Sequence, residues 1–274
     1  MNTKYKILAL DIDGTLTTSN KDITPETVRA IKNLQEKGIH VLIASGRSEY
    51  GVRHIAKELD FEKYGSYIMA FNGGRLINCA TGGIVYDTPL ALSYLDEIYG
   101  TACAYGLGII GYEDDCLVSG NGVDEYQEYD AAACRMKLIE VDDFPRYFKK
   151  PFNKCLLSGE PDRVKKVFPA IKRKLEGRLN VCTSEQFFIE VLPHGVHKAA
   201  ALDNLARKLG CSAADVVCCG DGMNDLTMIE YAGLGVAMGN ACDAVQEKAD
   251  YITSSNDDNG VLKVIQKFFG IAGS

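Results

Sequence analysis

No stretch of the 274-residue sequence approaches the roughly 18 consecutive apolar residues that a membrane-spanning helix needs. The opening residues, Met1-Asn2-Thr3-Lys4-Tyr5-Lys6, run after one short apolar segment into Asp11 and Asp13. They lack the long apolar core and small-residue cleavage site of a secretory signal, so a cytoplasmic location is expected. Positive charge is in deficit too. A net charge of -7 and a pI near 5.2 disfavour nucleic acid and anionic membrane as partners. The ten cysteines include no C-x-x-C pair, which argues against a zinc knuckle. They read as free thiols, with Cys218 and Cys219 acting as small hydrophobes in the run Val216-Val217-Cys218-Cys219. Internal repeats and low-complexity linkers are absent as well.

What remains has the balance of a globular protein, 46% hydrophobic and 24% charged, long enough for one large domain or two modest ones. Tyr5 to Leu10 is a short apolar run that stops at a charged residue, as a buried parallel strand does. Thr24-Pro25-Glu26 then opens a helix striped by Val28, Ile31 and Leu34. A second strand, 39–44, breaks at Ser45-Gly46-Arg47. Helical spacing resumes at Val52, Ile55 and Leu59, and a third strand, 67–70, ends at Asn72-Gly73-Gly74. The alternation predicts an α/β fold, a Rossmann-like doubly wound parallel sheet. It lapses over residues 84–188 and returns after Glu190, with a helix over 198–209, a strand over 216–219, a helix over 225–231 and a strand over 234–237. The expected organisation is therefore a core of residues 1–83 and 189–274 with an inserted α+β cap domain at 84–188.

Three strands end in polar loops: Asp11-Ile12-Asp13, Ser45-Gly46-Arg47 and Gly220-Asp221-Gly222-Met223-Asn224-Asp225. Ligands of open α/β sheets bind beyond the carboxyl ends of the strands, so these loops are expected to converge. Phosphoryl transfer needs positioning and charge neutralisation, and magnesium takes hard oxygens from one or two carboxylates. Asp11 and Asp221 supply carboxylates, and the Asp13 backbone a carbonyl. A carboxylate nucleophile divides one displacement into two easier ones, and a second carboxyl two residues on can protonate the leaving alcohol and then activate water. Ser45 offers a hydroxyl, and Lys198 a cation at a helix start.

Asp11-x-Asp13-Gly14-Thr15-Leu16, Ser45, Lys198 and Gly220-Asp221-x-x-Asn224-Asp225 stand in the order of the four motifs of the haloacid dehalogenase superfamily. The closer resemblance is to its Cof-type phosphatases, through Ala44-Ser45-Gly46-Arg47, Asn72-Gly73, Gly195-Val196-x-Lys198, Ala249-Asp250-Tyr251 and Asn259-Gly260-Val261. The resemblance implies a C2-type α/β cap inserted after Asn72, Mg2+ as cofactor and an aspartyl-phosphate intermediate. It also implies Asp11 as nucleophile and Asp13 as general acid/base. Metal would be bound by Asp11, the Asp13 carbonyl and Asp221, with Asp225 in support, and phosphate by Ser45, Gly46, Lys198 and Asn224. Ala199 departs from the pattern, since relatives often carry glycine after the lysine.

Other residues read less specifically. Arg47 suits a substrate contact or a salt bridge, and Asn72 a loop support or a substrate contact. His194 and His197 fit a loop or surface role, Glu113-Asp114-Asp115 a solvated face, and Tyr94, Tyr99, Tyr105 and Tyr112 a cap pocket or cap packing. The expected activity is a phosphatase for sugar phosphates or similar small phosphorylated metabolites. A phosphosugar mutase would instead accumulate an isomeric sugar phosphate, and a non-catalytic phosphometabolite-binding module would ordinarily lack Asp11 or Asp221. The sequence leaves the oligomeric state open.

Overall fold

The computed structural model describes residues 4–271. Fourteen strands form two sheets among the described residues. In chain order they are β1 (Ile7–Asp11), β2 (His40–Ala44), β3 (Tyr67–Ala70), β4 (Arg75–Asn78), β5 (Ile84–Asp87), β6 (Gly108–Glu113) and β7 (Cys116–Ser119). There follow β8 (Lys137–Glu140), β9 (Cys155–Ser158), β10 (Leu179–Thr183), β11 (Phe188–Pro193), β12 (Val216–Gly220), β13 (Leu234–Ala237) and β14 (Tyr251–Ile252).

The first sheet has the order β14-β13-β12-β1-β2-β3-β4-β5. The six strands from β14 to β3 run parallel, and β4 turns back antiparallel to β3. This is the doubly wound α/β arrangement that the alternation predicted. Strands β1, β12 and β13 are buried on both faces, which is why they read as continuous apolar runs. From β1 the chain winds to β2 and β3 on one side, and β12, β13 and β14 fill the other. The order therefore reverses between β1 and β12, whose carboxyl ends carry Asp11 and Asp221. That reversal is where such sheets bind ligands.

The flanking helices follow their sequence signals. Pro25–Glu36 starts with Pro25 in its first turn and is capped by Thr24, whose hydroxyl accepts from the Thr27 amide. Glu49–Glu58 follows β2, and Lys198–Lys208 packs Leu202, Leu205 and Ala206 into the apolar core beneath the sheet.

The second sheet has the order β10-β11-β9-β6-β7-β8, antiparallel apart from the β7–β8 pair. Its own core gathers Leu95, Ile98, Ile109, Val118, Phe144, Leu157, Ile171 and Val191. Tyr94, Tyr99 and Tyr105 pack against that core. Tyr112 is buried, with its hydroxyl donating to Asp130 at 3.0 Å. Glu113, Asp114 and Asp115 are exposed.

The chain divides into two compact units, one of residues 4–45, 53–86 and 197–271, the other of residues 46–52 and 87–196. Of the boundaries read from the sequence, that between residues 83 and 84 stands at the start of β5, and that between 188 and 189 falls inside β11. Ile84–Asp87 extends the edge of the first sheet, whereas Phe188–Pro193 lies in the second, between β10 and β9. All six residues of β11 are buried, so the strand has the same continuous pattern as a parallel core strand. Only its partners reveal which sheet it joins. Residues 46–52, expected in the core, group with the second unit.

All ten cysteines are free. Cys134, Cys155, Cys218 and Cys219 are buried, and burial pushes the Cys134 thiol up to about 12, as unreactive packing thiols require. No helix among the described residues is long and apolar enough to cross a membrane.

Candidate active site

Asp11 is the last residue of β1 and stands opposite Ala44, the last residue of β2. Lys198 opens the helix that packs beneath them, and its side chain is fully buried. An ammonium has three donors and no acceptor. Here all three are placed: Asp11 Oδ1 at 2.6 Å, Asp225 Oδ1 at 2.6 Å and the Ala44 carbonyl at 3.0 Å. One cation thus ties together the ends of β1 and β2 and the loop after β12.

Both oxygens of Asp225 are engaged. Its Oδ1 accepts from Lys198, and its Oδ2 accepts from the backbone amides of Asp221 and Gly222, both at 3.0 Å. It shapes the loop that presents Asp221. The Asp221 carboxylate accepts in turn from the Thr15 hydroxyl at 2.7 Å. Carboxylate oxygens of Asp11, Asp221 and Asp225 lie within 4.8 Å of one another. Three carboxylates face one ammonium, so the cluster carries an excess of negative charge.

The local field follows. Burial, reinforced by Asp225, raises the Asp11 carboxyl well above the usual range, although Lys198 opposes the rise. Burial likewise pushes Asp221 up to about 6, against the hydrogen bond from Thr15. Lys198 is penalised by burial, but Asp11 and Asp225 outweigh the penalty and keep it charged. Excess buried negative charge on hard oxygens is the environment a divalent magnesium ion fits. Asp11 and Asp221 are the carboxylates suited to hold it, because both oxygens of Asp225 are already engaged.

The remaining expected residues are held by partners of their own. Ser45 is buried, its amide donates to the Met69 carbonyl and its carbonyl accepts from the Asn72 amide, each at 2.9 Å. Asn224 donates to the Asn72 side chain at 3.2 Å, so Asn72 links the loop after β3 to the loop after β12. Phe71, Asn72 and Gly73 all have positive φ, 54°, 55° and 98°. Glycine is required at the third position, because a Cβ there would sit 2.6 Å from the His197 carbonyl oxygen, at the start of the Lys198 helix. His197 caps that helix, its Nδ1 accepting from the Ala200 amide at 3.3 Å. The Asp13 carboxylate is partly exposed and paired with Lys21 at 2.9 Å. Gly46 and Arg47 belong to the second unit, where Arg47 donates to the Ala133 carbonyl at 2.8 Å.

The profile of the haloacid dehalogenase-like hydrolases matches residues 8–265. The chain belongs to this family. A haloacid dehalogenase-like hydrolase from Bacteroides thetaiotaomicron has the same fold, with a TM-score of 0.90 at 37% identity over 96% of this chain and 99% of that one. The 5-amino-6-(5-phospho-D-ribitylamino)uracil phosphatase YcsE of Bacillus subtilis (strain 168) is 30% identical over 261 residues, 95% of this chain and 94% of that protein. The HMP-PP phosphatase of Serratia proteamaculans (strain 568) is 29% identical over 239 residues, 86% and 85% respectively. The enzyme class is that of a phosphoric monoester hydrolase, in line with the resemblance carried by the motifs.

In this haloacid dehalogenase-like site several structural residues carry no role in the sequence reading. Thr15 lies inside the Asp11 motif, yet its partner Asp221 is 206 residues away. Asn240 donates to the Gly14 carbonyl at 2.8 Å, and Asn256 donates to the Thr17 carbonyl at 2.9 Å. The Asn256 amide also donates to the Asn240 side chain at 3.0 Å. Both asparagines follow C-terminal strands and brace the loop after β1, and nothing in their own neighbourhood signals that task.

Gly14 has φ +81°, and a Cβ there would collide with the Asp221 carboxylate. Gly14→Ala is therefore expected to cost about 1–3 kcal/mol of stability from the positive φ and the displaced loop, and to weaken phosphate release with it. Thermal unfolding alongside phosphate release checks both. Wild-type values for both would refute the close approach.

Proposed function

We propose that this chain is a magnesium-dependent phosphatase that hydrolyses small phosphate monoesters, sugar phosphates or similar metabolites, through an aspartyl-phosphate on Asp11. The observation that supports this most is the fully buried Lys198 ammonium shared between Asp11 and Asp225 at the reversal of strand order. A buried charge is costly unless it is paired, and this one is paired to a carboxylate at a strand end, where ligands bind. The two named relatives support the substrate class, since their names describe phosphatases of small phosphorylated molecules.

In this reading the Asp11 carboxylate attacks phosphorus, and the bond from phosphorus to the ester oxygen breaks. Asp13 gives its proton to the departing alkoxide, then takes one from water, which attacks the same phosphorus and frees Asp11 and inorganic phosphate. Ser45, Gly46, Lys198 and Asn224 hold the non-bridging oxygens. Asp11, the Asp13 carbonyl and Asp221 would hold magnesium, which would supply positive charge against the anionic phosphate and nucleophile. Asp225 keeps Lys198 and the Asp221 loop in place. The second unit, residues 46–52 and 87–196, would select the leaving group, and a cytoplasmic setting suits both substrate and metal.

A phosphate-release screen across small phosphate esters tests the activity, and chelation of magnesium is expected to suppress it reversibly. Partners that merely support a metal ligand are worth 10–100-fold in affinity, so Asp221→Asn is expected to weaken magnesium binding by more than about 100-fold. Calorimetric titration of magnesium without substrate reads this directly. Undiminished affinity would remove Asp221 from the metal site.

A further inference from the structure

Within the second unit, the chain directly after Ser45 is held by Lys154. Lys154, in the approach to β9, has a nearly fully buried side chain. Its ammonium donates to Glu190 Oε1 on β11 at 2.9 Å and to the Gly46 carbonyl at 2.9 Å. It also lies 5.3 Å from the centre of the Tyr112 ring. Two residues further on, the Ser48 hydroxyl rests 3.0 Å from Met136 Sδ.

Such a pair is an expensive way to join two strands. Apolar side chains of similar volume would join β9 and β11 at least as well, without desolvating two charges. What an apolar pair cannot do is hold the Gly46 carbonyl. Glycine is the residue with the widest backbone freedom, and this one follows the hydroxyl assigned to phosphate. A bond to its carbonyl fixes the Gly46–Arg47 peptide and, with it, the course of the chain leaving Ser45. Transfer reactions are sensitive to such placement, since an error of about 1 Å can cost a hundredfold in rate.

We propose that Lys154, held by Glu190, is a positioning residue for the phosphate-binding loop, setting the backbone of Ser45 and Gly46 through the Gly46 carbonyl. The inference rests on the assignment of Ser45 and Gly46 to phosphate. It reaches beyond that assignment by giving Lys154 and Glu190, which lie outside the four motifs, a part in the transfer step.

The test compares wild type, Lys154→Met, the double variant Lys154→Met/Glu190→Leu, and Lys154→Arg. Thermal stability, kcat and KM are measured with magnesium on an ester from the screen, together with inhibition by inorganic phosphate. Lys154→Met is expected to lose stability, because it takes the neutralising ammonium from the buried Glu190 carboxylate. The double variant is expected to regain wild-type stability yet remain about 100-fold down in kcat/KM, with phosphate inhibition about 10-fold weaker. Lys154→Arg, which keeps a donor, is expected to recover part of kcat. If the stable double variant matches wild type in kcat/KM and phosphate inhibition, the pair is structural only and the proposal fails. If wild type is active and Asp11→Asn is equally so, the phosphatase reading fails first and the proposal falls with it.

Discussion

Asp11→Asn is expected to abolish phosphate release, by at least about 10^4-fold on every ester that wild type hydrolyses, while leaving the fold intact. On the proposed mechanism Asp11 is the covalent nucleophile, and removal of such a group costs several orders of magnitude. Asparagine has nearly the same shape and keeps an oxygen that can accept from Lys198 at the position now 2.6 Å away. The variant also removes one negative charge from a cluster with an excess of it, so stability is expected to hold or rise slightly. Rapid-quench trapping of a phosphorylated protein separates this outcome from a binding defect. Wild type should incorporate phosphate and Asp11→Asn should not. Turnover by the variant at the wild-type rate would exclude Asp11 as nucleophile.

The second large effect concerns Lys198. Lys198→Ala is expected to cost about 3–5 kcal/mol of stability, the range for breaking a buried charge pair by removing one partner. The reason is specific to the site. Asp11 and Asp225 both turn to the same ammonium, and without it two buried carboxylates face each other unneutralised while the Ala44 carbonyl loses its donor. Activity is expected to fall by about 10²–10³-fold beyond any loss of folded protein, as removal of one charge-stabilising donor does. Urea unfolding with and without magnesium gives a further check. Added magnesium should recover more stability in the variant than in wild type, because the metal substitutes for part of the missing charge. Unfolding and kinetics unchanged from wild type would show that Lys198 does not carry the charge balance described.

These two expectations differ in how far they were legible before the structure. Asp11 and Asp13 follow an apolar run that ends abruptly, and a strand end in an α/β alternation is itself a statement about place. Lys198 is less obvious from its own surroundings, since most lysines are solvated; the ordering of four motifs singled it out. Its burial and its three acceptors required the structure, because its partner Asp11 is 187 residues distant. Asn72 was open between loop support and substrate contact, and the structure places it against Asn224.

The sequence by itself determined the α/β core, the polar loops that form the candidate site and the residue types in them. Those properties are local: a strand buried on both faces is continuous and apolar, and a loop at its end holds polar groups that cannot be buried without partners. Only the tertiary structure decided which sheet claims residues 188–193, that Thr15 steadies Asp221, that Asn240 and Asn256 brace the loop after Asp11, and that Lys154 and Glu190 hold the chain leaving Ser45. Each of these is a contact between segments far apart in the chain. A strand's own pattern specifies that it is buried but not beside what. A polar side chain announces a need for a partner but not the partner's address.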